Sequence, residues 1–95
     1  MSMINLMQRS STEINMDIAR RMAALRKRRK LTQKALSAKA DVSFGSLKRF
    51  EQSGEISFQS FTKLAIALEV EDELEDLFCE VPFRSIEEVI HGQIK

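Results

Sequence analysis

Apolar residues recur at three- and four-residue intervals through most of the chain, and polar capping residues interrupt that rhythm often enough to divide it into short helices. Ser10 followed by Glu13 has the spacing of a capping box, and Ile14, Ile18, Met22 and Leu25 then fall on one stripe, which predicts a helix to about Arg29. Thr32 is placed to cap a second helix, Gln33 to about Ala40, with Ala35, Leu36 and Ala40 turned inward. Ser43 caps a third, Phe44 to about Gln52, which Gly54 closes; Leu47 and Phe50 face inward and Val42 lies in the preceding turn. Ser57 opens a fourth, from about Phe58 to Leu68, whose Phe58, Phe61, Leu64, Ala65 and Leu68 complete the core. A fifth helix, from about Glu73 to Cys79, carries Leu74, Leu77 and Phe78. Pro82 breaks the pattern, and Ser85 with Glu88 repeats the capping-box spacing before Ile86, Val89, Ile90 and Gly92, the signature of a last helix of two turns.

The pattern is all-α: a compact five-helix domain over 10–80, preceded by an arm over 1–9 without sustained periodicity and followed by a short helical tail over 81–95. Within the arm, Ile4 and Leu6 could alternatively pair with a second subunit. Ninety-five residues of 43% apolar content suffice for one core, and with neither Trp nor Tyr that core rests on six Phe residues and the aliphatics.

The stretch Leu31–Gly54 organises the rest. Two helices about three residues apart form a corner whose inner angle is apolar, while the outer face of its second helix is left with Phe44, Gly45, Lys48, Arg49 and Gln52. This is the layout of a motif that offers its second helix to a DNA major groove.

Overall charge at first argues against such a partner, since the formal net charge is only +1. Its distribution reverses that impression. From Met1 to Phe50 there are twelve Lys and Arg against three acids, and from Glu51 onward three against eleven, so a half of charge +9 adjoins a half of charge −8. The basic half suits a polyanion; the acidic half suits solvent or a basic protein partner. Arg26 to Lys30 are five consecutive basic residues at the predicted end of the first helix, where cations complement exposed carbonyls, and they lead directly into the corner. Arg26, Lys27, Arg28 and Lys34 are accordingly candidate phosphate contacts.

Other chemistries find little support. One histidine, His91, and one cysteine, Cys79, make no metal cluster and no internal disulfide; there is no phosphate-binding glycine loop and no nucleophile motif. The expectation is a non-enzyme without cofactor or metal. With no secretory signal or membrane span, the expected compartment is the cytoplasm.

These residues together resemble the lambda-repressor/Cro-like, or XRE-type, helix-turn-helix family. The resemblance covers roughly Ile18 to Phe78 and rests on Arg26, Leu31-Thr32-Gln33, Leu36, Val42-Ser43, Leu47, Arg49, Glu51, Gly54 and the run Leu64-Ala65, Ala67-Leu68, Val70. It implies the family's five-helix fold and a transcriptional regulator, in the repressor sense, that binds double-stranded DNA. Carried over by position, Gln33 would contact a phosphate or buttress the reading residues, and Ser43 would add a phosphate contact. Phe44, Gly45, Ser46, Lys48 and Arg49 would read bases, with Arg49 suited to the O6/N7 edge of guanine and Phe44 to a thymine methyl. Phe44 could instead staple inward. Asp41 stands where the family usually has glycine in the turn and must tolerate a left-handed conformation.

More narrowly, Val42 to Glu51 followed by Gly54-Glu55-Ile56-Ser57, and the ending Leu77-Phe78 with Phe83 to Val89, resemble HipB-like antitoxins of toxin-antitoxin systems, which bind an operator as dimers and hold a HipA-type kinase. A homodimer on a pseudo-palindrome is expected, since one motif reads only a few base pairs. Phe78, Val81, Phe83, Ile86, Val89 and Ile90 are least needed for a monomer core and are assigned to dimerisation or partner binding. The competing reading is a protein-interaction module that uses this fold without DNA. Retention of Lys48 and Arg49 on the outer face speaks against it.

Overall fold

The structure, a computed structural model, describes residues 8–80. Five helices follow one another: α1 (Ser11–Arg28), α2 (Gln33–Ala40), α3 (Phe44–Ser53), α4 (Phe58–Ala67) and α5 (Glu71–Glu75). Four begin as the caps dictate. Ser10, Thr32, Ser43 and Ser57 each accept a backbone N–H from the residue three positions on, and Glu13 returns the favour to the Ser10 N–H, completing the capping box.

Three of their ends obey one rule that no glycine announces. After α1, the N–H of Leu31 donates to the carbonyl of Arg26 while that of Lys30 donates to Lys27. After α2, Val42 donates to Ser37 and Asp41 to Ala38; after α4, Val70 donates to Ala65 and Glu69 to Ile66. This paired closure, the Schellman motif, needs a left-handed residue at the reversal. Here it is Lys30, Asp41 and Glu69, with φ of 60°, 57° and 63°. Asp41 thus adopts the left-handed conformation that its position in the corner requires. Only α3 ends on glycine: Gly54 has φ of 80°, and a Cβ there would sit 2.9 Å from the Asn15 carbonyl carbon, so it also lets α3 close against α1.

The core lies where α3 packs on α1 and α2, and α4 on α2 and α5. Leu36, Leu47, Leu64 and Leu68 are its fully buried large side chains, and Phe50 meets Phe61 edge to face at 5.8 Å. Three inward assignments change. Ile14 and Ala35 are exposed, and Phe58 is 72% exposed, whereas Ala19 and Ser37 are buried. The buried line of α1 runs through Ala19, Met22 and Arg26, rotated from the expected stripe, because α3 approaches closely at Gly54.

The fifth helix also shifts. It spans Glu71–Glu75 rather than Glu73 to Cys79, since the reversal at Glu69 and Val70 releases the chain two residues earlier and Glu71, Asp72 and Glu73 favour the positive end of a helix dipole. Of the three apolar residues expected on it, Leu74 packs against the core; Leu77 and Phe78 follow the helix and are exposed, Phe78 by 82%. Cys79 is exposed. The last predicted helix, with Val81, Phe83, Ile86, Val89, Ile90 and His91, lies outside the described residues, as does the arm before residue 8. Arg9, the end of that arm, is held against α1 by an ion pair with Asp17.

Candidate nucleic-acid interface

The outer face of α3 is built from its first turn. The Ser43 hydroxyl accepts the Ser46 N–H at 3.1 Å and donates to the Ser46 hydroxyl at 2.7 Å, so the cap and the second polar residue of the turn are fixed together and the Ser46 hydroxyl hydrogen is left to donate outward. Phe44 is 38% exposed and does not enter the core. Its ring receives the Lys34 ammonium 5.7 Å from the centroid, which brings a residue of α2 and a residue of α3 onto one surface. Nothing lies within 4 Å of where a Gly45 side chain would begin, so this position faces open space.

Farther along, Lys48 and Arg49 are exposed, and Arg49 Nη2 donates to Glu55 Oε1 at 2.6 Å. At the end of α1, Lys27 and Arg28 are exposed. Among the described residues Lys27, Arg28, Lys34 and Lys48 have no carboxylate within ion-pair distance, whereas Arg29 pairs with Glu69.

Of the residues expected at phosphates, one is placed otherwise and another takes its alternative, buttressing role. Arg26 is a correction: it is only 7% exposed and has turned inward. Its Nε and Nη2 donate to the two Glu51 carboxylate oxygens at 2.8 and 3.0 Å, and Nη1 donates to the Leu31 carbonyl at 2.8 Å. A guanidinium so engaged in a buried site offers no fork to a phosphate. Gln33 Nε2 donates to the same carboxylate at 2.9 Å, so its amide is partly committed to α3. Glu51 therefore gathers the end of α1 and the start of α2 onto the last turn of the outer helix. Although Glu51 takes part in the family resemblance, its role is visible only in space.

That arrangement decides the electrostatics of the face. Glu51 is the single acid within α3, and it is turned inward and neutralised by Arg26, which leaves Lys48, and Arg49 with its partner Glu55, on the outer surface. Residues that sequence reasoning missed are thus Glu51 and Glu55. The signal for the first pair was present, since Arg26 stands four residues after Met22 on the buried side of α1, where a charge must find a partner. Arg49 and Glu55 are six residues apart across a helix end, a spacing with no sequence rule.

No helix among the described residues is long and apolar enough to cross a membrane. A family model described as helix-turn-helix matches residues 22–74, from the middle of α1 into α5. No curated protein matches the chain.

Proposed function

The chain belongs to the lambda-repressor/Cro-like, XRE-type helix-turn-helix family of DNA-binding regulators, and from that premise we propose that it represses transcription as a homodimer on a pseudo-palindromic operator. The observation that carries the reading is the outer face of α3: its only acid is buried against Arg26, while Lys48, Arg49 and the polar first turn are exposed. In this assignment α3 enters the major groove, where Arg49 reads guanine and Ser46, Lys48 and Phe44 line the adjacent bases, with Gly45 permitting close approach. Lys27, Arg28 and Lys34 lie against phosphates; the Ser43 hydroxyl, expected at a phosphate, gives its hydrogen to Ser46 and leaves the Ser46 hydroxyl to donate to DNA, while Gln33 supports α3 through Glu51. Half-sites one helical turn apart, about 10 bp, would match the two-fold symmetry of such a dimer.

Phe78 supports the second half of the proposal, being a large aromatic side chain almost wholly exposed at the end of the domain. We assign it, together with Val81, Phe83, Ile86, Val89 and Ile90 of the sequence, to contact with the second subunit, or with a HipA-type kinase if the protein acts as a HipB-like antitoxin; co-purification with such a kinase tests the latter. The DNA assignment is tested by selecting an operator from a random duplex library and measuring two variants on it. Arg49→Ala loses roughly 1–3 kcal/mol and relaxes one base preference. Lys27→Ala weakens all sequences alike and flattens the salt dependence. Binding unaffected by either change would refute the assignment and favour the protein-interaction reading of the fold.

A further inference from the structure

We propose that Glu55 is a specificity-determining residue of this face: it holds the Arg49 guanidinium ready for a base edge and keeps it from phosphates. The inference rests on the reading of α3 as the DNA-reading helix and adds to it a residue outside that helix. Glu55 follows the left-handed Gly54, whose reversal carries the chain back past the last turn of α3. One hydroxyl then locks both partners: Ser53 Oγ donates to the Arg49 carbonyl at 2.7 Å and accepts the Glu55 N–H at 3.2 Å. The backbone beneath the pair is therefore fixed, with Gly54 buried and Ser53 partly so, while the charged ends meet at 2.6 Å in the open, 68% and 64% exposed.

An exposed pair of this kind adds little to folding stability. Its effect lies in what it does to Arg49. A guanidinium carries five N–H donors in a rigid fork, and one contact at Nη2 leaves others for guanine. The orientational freedom lost on reading a base is then partly lost beforehand, which favours the cognate contact. On DNA that lacks the guanine, an untethered arginine swings to the nearest phosphate and binds regardless of sequence. Glu55 opposes that swing by holding the fork and by placing a negative charge beside the backbone, a penalty that falls on the wrong sequences. Lys48 has no such carboxylate among the described residues, so the device is particular to Arg49.

The test compares wild type, Glu55→Gln, Arg49→Ala and the double variant by selection from a random duplex library and by titration of mixed-sequence duplex across salt concentrations. Glutamine keeps the length of the side chain and removes its charge. Glu55→Gln is expected to bind mixed-sequence DNA about threefold or more tighter and to steepen the salt dependence by roughly one ion. It should also relax preference at the one base position that Arg49→Ala abolishes, and in the Arg49→Ala background it should change no base preference. An unchanged melting temperature separates this from a structural role. A base preference in Glu55→Gln identical to that of wild type overturns the role of Glu55 alone. A wild type that enriches no sequence at all overturns the DNA reading of α3, and this inference with it.

Discussion

Arg26 and Glu51 form a bidentate ion pair between two helices, with their side chains only 9% and 8% exposed. The pair fixes the tilt of α3 relative to α1, and through Leu31 and Gln33 it reaches the start of α2. Two buried charges are costly to desolvate, so breaking the pair from one side leaves an unpaired ion. Arg26→Ala is expected to lower stability by about 3–5 kcal/mol in urea denaturation. Replacing both residues together, Arg26→Met with Glu51→Leu, should recover most of that loss, since apolar side chains of similar volume need no partner.

Three helix ends place a residue with a side chain where the backbone is left-handed. Such a residue costs about 1–2 kcal/mol that glycine avoids, partly offset by glycine's greater freedom when unfolded. Lys30→Gly should therefore raise stability by roughly 0.5–1 kcal/mol. Gly54→Ala should do the reverse, losing about 2 kcal/mol or more, because it adds the same strain and drives a methyl group into the backbone of α1 at Asn15. Thermal denaturation of the two variants checks both signs.

The first turns of α1 respond to acid. The Ser10 N–H and then its hydroxyl contact hold the Glu13 carboxyl below its ordinary value of 4.5, and the hydrogen bond from Arg9 holds Asp17 below its ordinary 3.8. Folded values below unfolded ones mean that the stabilisation is complete above the ordinary values and is lost as pH falls through the lowered ones. Circular dichroism and amide exchange should show the start of α1 fraying below about pH 4, earlier than the core; Glu13→Gln should remove Glu13's share of that dependence.

Most of this architecture was legible because it is local. Four caps are side-chain contacts three residues apart, and four helices begin where those residues stand. The same four helices end within one residue of expectation, but how they close was not legible, since the left-handed positions fall to Lys30 and Glu69, which nothing in the one-dimensional pattern distinguishes from their neighbours. The site divides in the same way. Exposure of Lys48, Arg49 and Gly45 follows from which side of α3 Leu47 and Phe50 occupy. The fate of Arg26 depends on a carboxylate 25 residues away, so a run of five like charges concealed one member with a different task.

The tail assigned to dimerisation gives a separate expectation. A chain ending after Glu80 should keep its melting transition, since the core from Ala19 to Leu68 is intact. In sedimentation it should be a monomer where the full chain is a dimer. A truncated protein that still dimerises would move the interface onto the domain itself.

The outer face of α3 is the surface assigned to DNA, and amide chemical-shift mapping with mixed-sequence duplex checks that assignment without a known operator. Shifts are expected to concentrate from Ser43 to Arg49, around Lys34 and at Lys27 and Arg28, and to diminish as salt rises. Shifts confined to α4 and α5, or none at DNA concentrations where non-specific binding saturates, would contradict the assignment.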